Sequence, residues 1–424
     1  MRRLAVLSMH TSPLAQPGVG DGGGMNVYVR QLAAALARRG VLVDVYTRAD
    51  DPALPAVVGV EPGLRVHHIA AGPLGPVPKS ALAGLIDEFT DGVATRFRES
   101  RPDALHANYW LSGVAGHALK HRFDLPLGCT FHTLARVKGL DPGDAREREE
   151  AEAAVIGCSD AVVTSCSAEA DEIIELYGTD PSRVVVITPG VDHAFFGPGS
   201  RPAARRAIGA AEDGAMVLSV GRIQALKGLD VAVEAFGLLA GASRPSRASR
   251  ASRASRLSHA SRYGDARLVV VGGPSGPDGD DYLAAVRQQA RDLGILDRIR
   301  WVPPQPHAVL ASYYRAADVA LVPSQFESFG LVALEAAACG IPVIATPVGG
   351  LKTLVLDGRT GLLCARTGRA FADAMADILG DPAYADELGR CAARHARAFT
   401  WSRAARQLVS LFSELADRTP VLCS

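Results

Sequence analysis

The sequence predicts an α/β protein of two doubly wound parallel-sheet domains that face each other across a cleft. Short β-branched runs alternate with longer amphipathic segments, which is typical of parallel strands covered by helices on both faces. The alternation stops at the Pro- and Gly-rich segment 189–198 and then starts again. A chain of 424 residues that is 48% hydrophobic has enough apolar material for two such cores.

The first predicted domain covers residues 1–192. Its predicted strands are Leu4–Met9, Val41–Thr47, Arg65–Ala71, Ala104–Tyr109, Leu127–His132, Ala161–Cys166 and Val184–Thr188. Amphipathic periodicity predicts helices between several of them, including Met25–Arg39, Ala81–Arg98 and Ala168–Tyr177. A predicted C-terminal helix, Ser402–Leu415, returns to this domain, so that residues 402–424 belong to it as well.

The second predicted domain covers residues 198–401. Its predicted strands are Val217–Val220, Leu268–Val271, Ile299–Val302, Val319–Val322 and Val343–Ala345. Helices are predicted between them, among them Leu229–Leu239 and one that starts near Phe329. Ligands are expected at the carboxyl ends of the strands, which is where open α/β sheets bind them.

Residues 242–262 interrupt this pattern with the near-tandem Ser-Arg repeat ASRPSRASRASRASRLSHASR. Small, polar and cationic residues cannot bury enough surface to offset the entropy of ordering, which predicts a disordered surface loop. An RNA-binding or phosphorylated Ser-Arg tract is the functional alternative.

Composition excludes several classes of protein. The 45 Lys and Arg residues balance the 45 Asp and Glu residues, so no overall charge draws the chain to nucleic acid or to an anionic membrane. No apolar run approaches the roughly 20 residues of a membrane-spanning helix. The seven cysteines are scattered without a C-x-x-C pair, which favours reduced thiols in a cytoplasmic protein over a disulfide framework or a zinc site.

A glycine-rich segment after the first strand contains G-x-G-x-x-G at Gly18, Gly20 and Gly23. That motif indicates a dinucleotide-dependent oxidoreductase only where it directly follows a strand, and here eight residues with two prolines intervene. The segment is better interpreted as a loop whose end, Gly23-Gly24, opens a helix and binds phosphate through backbone N–H groups. A simple tight turn is the alternative.

Two further pairs of residues follow strands in the second half. Arg222 and Lys227 come after a strand and before a helix, a placement that suits the charges of a diphosphate. Glu327 lies in a strand-to-helix turn and Glu335 follows eight residues later. Carboxylates accept hydrogen bonds from the vicinal hydroxyls of a sugar or ribose, although Glu335 could instead be a paired structural residue in an apolar helix.

These motifs together resemble the retaining glycosyltransferases of the GT-B fold, in the fourth family of that class. Further segments are similar to the subgroup that glycosylates inositol 3-phosphate: Ser8–Tyr28, Tyr109–Gly113, His132–Lys138 and Gly272–Pro277. The resemblance covers nearly the whole chain except 242–262. It implies a cytoplasmic homodimer that transfers N-acetylglucosamine from UDP-N-acetylglucosamine to 1D-myo-inositol 3-phosphate with retention, the first step of mycothiol biosynthesis.

The resemblance also implies roles for individual residues. Catalytic roles fall on Arg222, Lys227, Glu327 and His132, although His132 could equally be a core histidine. The donor would contact Gln16, Pro17, Gly24, Arg222, Lys227, Gln305, Glu327 and Glu335. The acceptor would contact His10, Asp21, Gly22, Gly23, Gly24, Met25, Asn26, Lys79, Tyr109, Thr133 and Arg148. The chemistry would need no cofactor, and a structural Mg²⁺ would bind the backbone of Tyr314, Arg315, Ala317 and Ile341.

Two positions depart from the pattern of that family. Gln305 stands where arginine is expected near the nucleotide base, and Asn108 stands where histidine is expected before Tyr109. A sucrose-phosphate-synthase-like enzyme, which transfers glucose from UDP-glucose to a sugar phosphate, remains an alternative because it also accepts a phosphorylated polyol or sugar.

Overall fold

A computed structural model describes residues 1–18, 20, 22–138, 142–242, 263–418, 420 and 421. The chain divides into two compact units. The first comprises Met1–Ala15, Gly24–Gly190 and Trp401–Ser424, and the second comprises Gln16–Gly23 and Val191–Thr400. Apart from Ala242, the predicted Ser-Arg loop lies outside the described residues, as does Asp21.

The first unit is built on an eight-stranded sheet of order β3-β4-β2-β1-β5-β6-β7-β8. Its strands are β1 Arg3–Leu7, β2 Leu42–Arg48, β3 Val57–Glu61, β4 Leu64–Ile69, β5 Ala104–Asn108, β6 Leu127–Thr130, β7 Ala161–Thr164 and β8 Val184–Val186. All neighbouring strands are parallel except the edge strand β3, which is antiparallel to β4. Strand β3 is partly exposed and was not predicted; Gly59 interrupts its short valine run, and glycine weakens the signal of a strand.

Helices cover this sheet and return the chain from one strand to the next. They are α1 Gly24–Ala37, α2 Ile86–Glu99, α3 Trp110–Phe123, α4 Ala135–Lys138, α5 Pro142–Cys158 and α6 Ser167–Tyr177, with 3-10 turns at Lys79–Leu85 and Pro181–Arg183. The C-terminal helix Trp401–Ala416 also packs here, since Phe412 lies where a Cβ on Gly128 would come within 2.8 Å of its ring.

The second unit is built on a six-stranded parallel sheet of order β11-β10-β9-β12-β13-β14. Its strands are β9 Met216–Val220, β10 Arg267–Val271, β11 Ile299–Val302, β12 Val319–Val322, β13 Val343–Ala345 and β14 Gly361–Leu363. Its helices are α7 Arg201–Ala207, α8 Leu229–Ala242, α9 Gly279–Asp292, α10 His307–Ala316, α11 Leu331–Ala338, α12 Leu351–Leu354, α13 Gly368–Gly380 and α14 Pro382–Ala396, with 3-10 turns at Ala225–Lys227 and Leu296–Arg298. Both units are therefore Rossmann-like, as the strand–helix alternation predicts.

The cysteines differ in part from expectation. Cys129, Cys166, Cys339, Cys364 and Cys391 are free thiols. Cys158, at the end of α5, is disulfide-bonded, so the prediction of reduced thiols throughout was wrong at this position.

Candidate functional site

The second-unit site lies at the carboxyl ends of β9 and β12, which are neighbours in the sheet. The strand order changes direction between these two strands, and such a switch point is where open α/β sheets bind ligands. Arg222 follows β9 closely and Ser324–Glu327 follow β12. Arg222, Lys227, Ser324 and Glu327 line a small open cavity of about 50 Å³.

Lys227 and Glu327 form an ion pair in this cavity. The distance from Lys227 Nζ to Glu327 Oε2 is 2.6 Å, and the Ser324 hydroxyl donates a 3.2 Å hydrogen bond to the same oxygen. The Lys227 and Glu327 side chains remain 30% and 18% exposed, so a ligand from solvent can reach both. A cation beside a carboxylate suits a ligand that carries both phosphate and hydroxyl groups.

The loops that carry this pair are held by close backbone contacts. Gly228 has φ +71°, and a Cβ there would lie 2.2 Å from the carbonyl oxygen of Pro323. Gly349 has φ +46°, and a Cβ there would lie 1.8 Å from the carbonyl oxygen of Glu327. Arg366 Nε also donates a 3.0 Å hydrogen bond to the Pro323 carbonyl. Glu327 and Lys227 are therefore positioned by backbone packing as well as by their own ion pair.

Glu335, on α11, occupies a different environment from Glu327. It is only 6% exposed, and its Oε2 accepts a 2.8 Å hydrogen bond from the Tyr314 hydroxyl. Its Oε1 lies 4.0 Å from His307 Nε2. Burial raises the pKa of Glu335 to about 7 and lowers the pKa of His307. His307 was not predicted, because a single histidine at a helix start gives no sign of which carboxylate it will face.

Part of the glycine-rich segment belongs to the second unit. Gln16 Nε2 donates a 3.2 Å hydrogen bond to the Pro304 carbonyl. Gly23 packs on Arg222 so closely that a Cβ there would lie 3.1 Å from the guanidinium Nε. Pro17 and Gly22 lie in the same segment. The half-buried Gln305 side chain donates a 2.9 Å hydrogen bond to the Pro303 carbonyl, one residue before the carbonyl that Gln16 contacts.

The first-unit site is centred on Tyr109, which directly follows β5 with a φ of 75°. Strained backbone of this kind in a non-glycine residue clusters at functional sites. The His10 ring centroid lies 4.3 Å from that of Tyr109, while Lys79 Nζ and Arg148 Cζ lie 4.9 Å and 5.0 Å from it. Two cationic groups thus converge on one phenol ring; Glu152 balances the charge of Arg148, and Lys79 supplies a further positive charge suited to an anion.

Arg148 is buried and is oriented by partners that the sequence did not reveal. Its Nε donates a 2.7 Å hydrogen bond to Glu152 Oε1, and its Nη2 donates one of 2.7 Å to the Thr133 carbonyl. Glu152 is 0% exposed and its Oε2 accepts a 2.5 Å hydrogen bond from the Tyr177 hydroxyl. The i, i+4 spacing of Arg148 and Glu152 was the one signal that could have indicated this pairing.

His132 lies two residues beyond β6 with a φ of 63°. Its Nε2 lies 3.0 Å from Asn108 Oδ1, and its ring packs edge-on against Tyr28 with centroids 4.9 Å apart. Burial lowers the pKa of His132 to about 3, so the imidazole is neutral at pH 7. It therefore offers a neutral hydrogen-bonding group, and its partner is the asparagine that departs from the family pattern.

Asn26 lies in the first turn of α1, directly after Gly24 and Met25. Its Nδ2 donates hydrogen bonds of 2.6 Å to Thr11 Oγ1 and to the Ser12 carbonyl. The amide nitrogen thus fastens the segment that follows His10 to the start of α1.

The four residues expected to hold Mg²⁺ contribute no carboxylate. Tyr314 and Ala317 are 0% exposed, Ile341 is 4% exposed, and the Ala317 amide donates a 3.0 Å hydrogen bond to the Tyr314 carbonyl. The Arg315 guanidinium is bonded to the carbonyls of Gly197 and Phe195. Mg²⁺ in proteins is usually held by carboxylates with several waters. The structural Mg²⁺ on backbone atoms therefore stays a prediction, and no chemical step is assigned to an ion here.

Comparison with known proteins identifies the family of the chain. Residues 200–395 match the family of glycosyl transferases group 1, and residues 23–190 match the glycosyl transferase 4-like domain. A relative from Actinosynnema mirum, named D-inositol 3-phosphate glycosyltransferase, is 44% identical over 431 residues and covers 98% of both chains. A relative of the same name from Kineococcus radiotolerans is also 44% identical, over 97% of this chain and 95% of its own.

Among solved structures, sucrose-phosphate synthase from Thermosynechococcus elongatus is similar with a TM-score of 0.86 and 32% identity, over 98% of this chain and 99% of that chain. Anabaena Alr3699/HepE in complex with UDP-glucose has the same fold, with a TM-score of 0.72 and 19% identity over 98% of this chain and 100% of that chain. Within the described ranges, no helix combines the length and the apolar character that crossing a membrane requires.

Proposed function

The chain belongs to the GT-B glycosyltransferase family whose members include the D-inositol 3-phosphate glycosyltransferases, and from that premise we propose that it transfers N-acetylglucosamine from UDP-N-acetylglucosamine to 1D-myo-inositol 3-phosphate. The observation that carries the proposal is 44% identity over almost the full length of relatives with that name. The two sites described above supply groups of the right chemistry for a nucleotide sugar and for a phosphorylated polyol.

The donor is assigned to the second-unit site. Arg222 and Lys227 would bind the diphosphate, because both lie at the carboxyl end of β9 and line one cavity. Glu327 would accept hydrogen bonds from the sugar hydroxyls, and the buried Glu335 would accept them from the ribose. Gln16, Pro17, Gly24 and Gln305 are proposed to complete the donor contacts.

The acceptor is assigned to the first-unit site. Lys79 and Arg148 flank the Tyr109 ring and would bind the phosphate monoester by charge-assisted hydrogen bonds. The Tyr109 and Thr133 hydroxyls and His10 are proposed to contact the remaining acceptor oxygens. Residues 21–26 would complete the contacts, with Asp21 assigned from the sequence alone.

We propose transfer with retention and without a covalent enzyme intermediate. The bond from the anomeric carbon to the UDP oxygen breaks as an inositol hydroxyl oxygen attacks the same face, and the hydroxyl proton passes to a phosphate oxygen of the departing UDP. Arg222 and Lys227 would stabilise the negative charge that develops on the diphosphate. The neutral His132 would act as a hydrogen-bonding group toward the sugar rather than as a cation.

A sucrose-phosphate-synthase-like reaction is the second candidate, because a solved enzyme of that name has a TM-score of 0.86 with this chain. It would use UDP-glucose and fructose 6-phosphate. The lower identity of 32%, against 44% for the inositol-phosphate relatives, favours the first proposal.

Mass spectrometry of the products tests the proposal directly. Purified protein is incubated with UDP-N-acetylglucosamine or UDP-glucose, each paired with inositol 3-phosphate or fructose 6-phosphate. We expect the N-acetylglucosaminyl adduct of inositol phosphate together with UDP. An adduct only from UDP-glucose and fructose 6-phosphate would select the second candidate, and NAD(P)H turnover without UDP release would instead indicate an oxidoreductase.

The cellular setting extends the same proposal. The product would enter mycothiol biosynthesis in the cytoplasm, and the enzyme would act as a homodimer. Fractionation of cells and light scattering of the purified protein check these two points.

A further inference from the structure

A separate cluster of metal-binding side chains lies at the carboxyl-terminal ends of α3 and α5. His117 and His121 are four residues apart on α3, so they share one face of that helix, and Cys158 is the last residue of α5. His121 lies 12 residues after Tyr109, which places it about 18 Å along the helix from the first-unit site. None of these three residues is used by the proposed glycosyl transfer.

The ligand atoms of the cluster are close enough for one ion. One nitrogen from each histidine and the Cys158 sulfur all lie within 4.8 Å of one another. His121 Nε2 is 3.3 Å from Cys158 Sγ. Tetrahedral zinc with its usual bonds to nitrogen and sulfur holds such atoms about 3.5 Å apart. Small side-chain rotations would therefore bring all three onto a shared ion.

We propose that His117, His121 and Cys158 form a structural Zn²⁺ site in the reduced protein. Cys158 is disulfide-bonded in the structure, so the site requires its reduction. A thiol reductant supplies two electrons and two protons and becomes a disulfide, whereas a phosphine supplies the electrons, takes the oxygen of water and leaves the two protons of that water. Either route converts the protein disulfide to two thiols, and Zn²⁺ then displaces the proton of Cys158 Sγ to solvent. Water can take the fourth position of the tetrahedron.

The surroundings favour a bound cation. The neighbouring Lys120 is 2% exposed, and its charge is neutralised by Asp160 at 2.8 Å. With one thiolate and two neutral imidazoles, the cluster would carry a single negative charge toward the ion.

Such an ion would link α3 to α5, and both helices are next to or carry residues of the first-unit site. Tyr109 precedes α3 and Arg148 lies on α5, both toward the opposite ends of these helices. Zn²⁺ would thereby stabilise the unit that holds the proposed acceptor site without touching the reacting atoms.

Zinc titration of the full chain tests the site. Protein reduced anaerobically with a phosphine is titrated with Zn²⁺ against a chromophoric chelator, and Co²⁺ replaces Zn²⁺ in a parallel experiment. We expect one equivalent of Zn²⁺, a thiolate-to-Co²⁺ charge-transfer band, and a raised melting temperature. His121→Ala, at an exposed position, and Cys158→Ser should each weaken binding at least tenfold, while His193→Ala and Cys391→Ser should bind as the parent does.

The same experiment can overturn the proposal. Equal Zn²⁺ affinity in the parent, His121→Ala and Cys158→Ser proteins, or a Co²⁺ spectrum without the thiolate band, would contradict the site. Undiminished binding by the oxidised protein would contradict the role of Cys158.

Discussion

At the scale of single residues, Glu327 and Glu335 show how one motif places two identical side chains in different environments. Glu327 is partly exposed and lies 2.6 Å from Lys227, whereas Glu335 is buried and accepts a hydrogen bond from Tyr314. The sequence spacing indicated the pair of carboxylates. It could not indicate their different burial, because Tyr314 comes from α10 and Lys227 from a turn before α8.

Lys227→Ala should lower kcat/KM by about 100- to 1,000-fold, the usual cost of removing one group that stabilises a developing oxyanion. The proposed reason is that the variant loses the positive charge of Lys227, which would stabilise the departing diphosphate. Steady-state kinetics at saturating acceptor measure the effect, and circular dichroism checks that the fold is intact. The matched control is Arg369→Ala, which removes an exposed cation of the same unit that pairs with Asp373 on its own helix. Near-parental activity in Lys227→Ala would contradict the diphosphate assignment.

Donor binding should depend on pH through Glu335. Its pKa of about 7 means that the carboxyl is mostly protonated below pH 7 in the free protein. If the ribose hydroxyls donate to the carboxylate, binding favours the ionised form, and UDP affinity should fall by about tenfold per pH unit below 7. Isothermal titration calorimetry at several pH values measures both the affinity and the protons released.

Glu335→Gln is the control for that pH dependence, because UDP itself also titrates. The pH dependence of UDP affinity that remains in the variant comes from titration of UDP. The difference between parent and variant comes from Glu335. Parallel affinity profiles for parent and variant would contradict a role of Glu335 in ribose binding.

The raised pKa of Glu335 also affects stability in the free parent. Burial disfavours the ionised carboxylate in the folded state, so the free energy of unfolding should fall as pH rises from about 4.5 to 7.

At the scale of elements, the loop between β12 and α11 depends on contact with the loop before α12. The Gly350 amide donates a 3.2 Å hydrogen bond to the Glu327 carbonyl, and the backbone at Gly349 approaches that same carbonyl. The strand and the helix were predicted from periodicity. The packing of the second loop against them was not, because nothing in local sequence relates Glu327 to glycines more than 20 residues downstream.

Gly349→Ala should therefore displace the loop that carries Glu327. A Cβ there would lie 1.8 Å from the Glu327 carbonyl oxygen, and its φ of +46° is unfavourable for alanine. We expect a loss of donor turnover together with a lower melting temperature, measured by kinetics and by thermal unfolding. Gly241→Ala is the control, since its Cβ would enter open space in a helix and should be neutral or stabilising. Unchanged kinetics in Gly349→Ala would show that Glu327 does not depend on this contact.

Sequence patterns predicted helices and strands better than the contacts between them. The C-terminal helix was predicted at 402–415 and found at Trp401–Ala416, because its amphipathic period is strong. The Arg148–Glu152–Tyr177 network and the edge strand β3 were missed. The network depends on long-range packing, and the strand is a short segment interrupted by a glycine, so periodicity reports neither.

At the scale of the whole molecule, the zero net charge conceals an uneven distribution. Residues 243–262 contain six arginines and no acidic residue, so the rest of the chain has 39 basic and 45 acidic residues and a net charge of −6. The proposed anion-binding residues therefore lie in an acidic background. Their effect must come from local placement, as at Lys227 and around Tyr109, rather than from long-range attraction.

Replacement of residues 243–262 by a short Gly-Ser linker should leave glycosyl transfer within about twofold of the parent and lower the isoelectric point. The chain directly after the segment is anchored by Tyr263, which is 7% exposed and whose hydroxyl donates a 3.1 Å hydrogen bond to the Ala376 carbonyl. The fold of the second unit should therefore not depend on the segment. Kinetics and isoelectric focusing measure the outcome, and a variant with all six arginines changed to glutamine keeps the length while removing the charge. Loss of activity in both variants, or RNA that co-purifies with the parent alone, would instead assign the tract a function of its own.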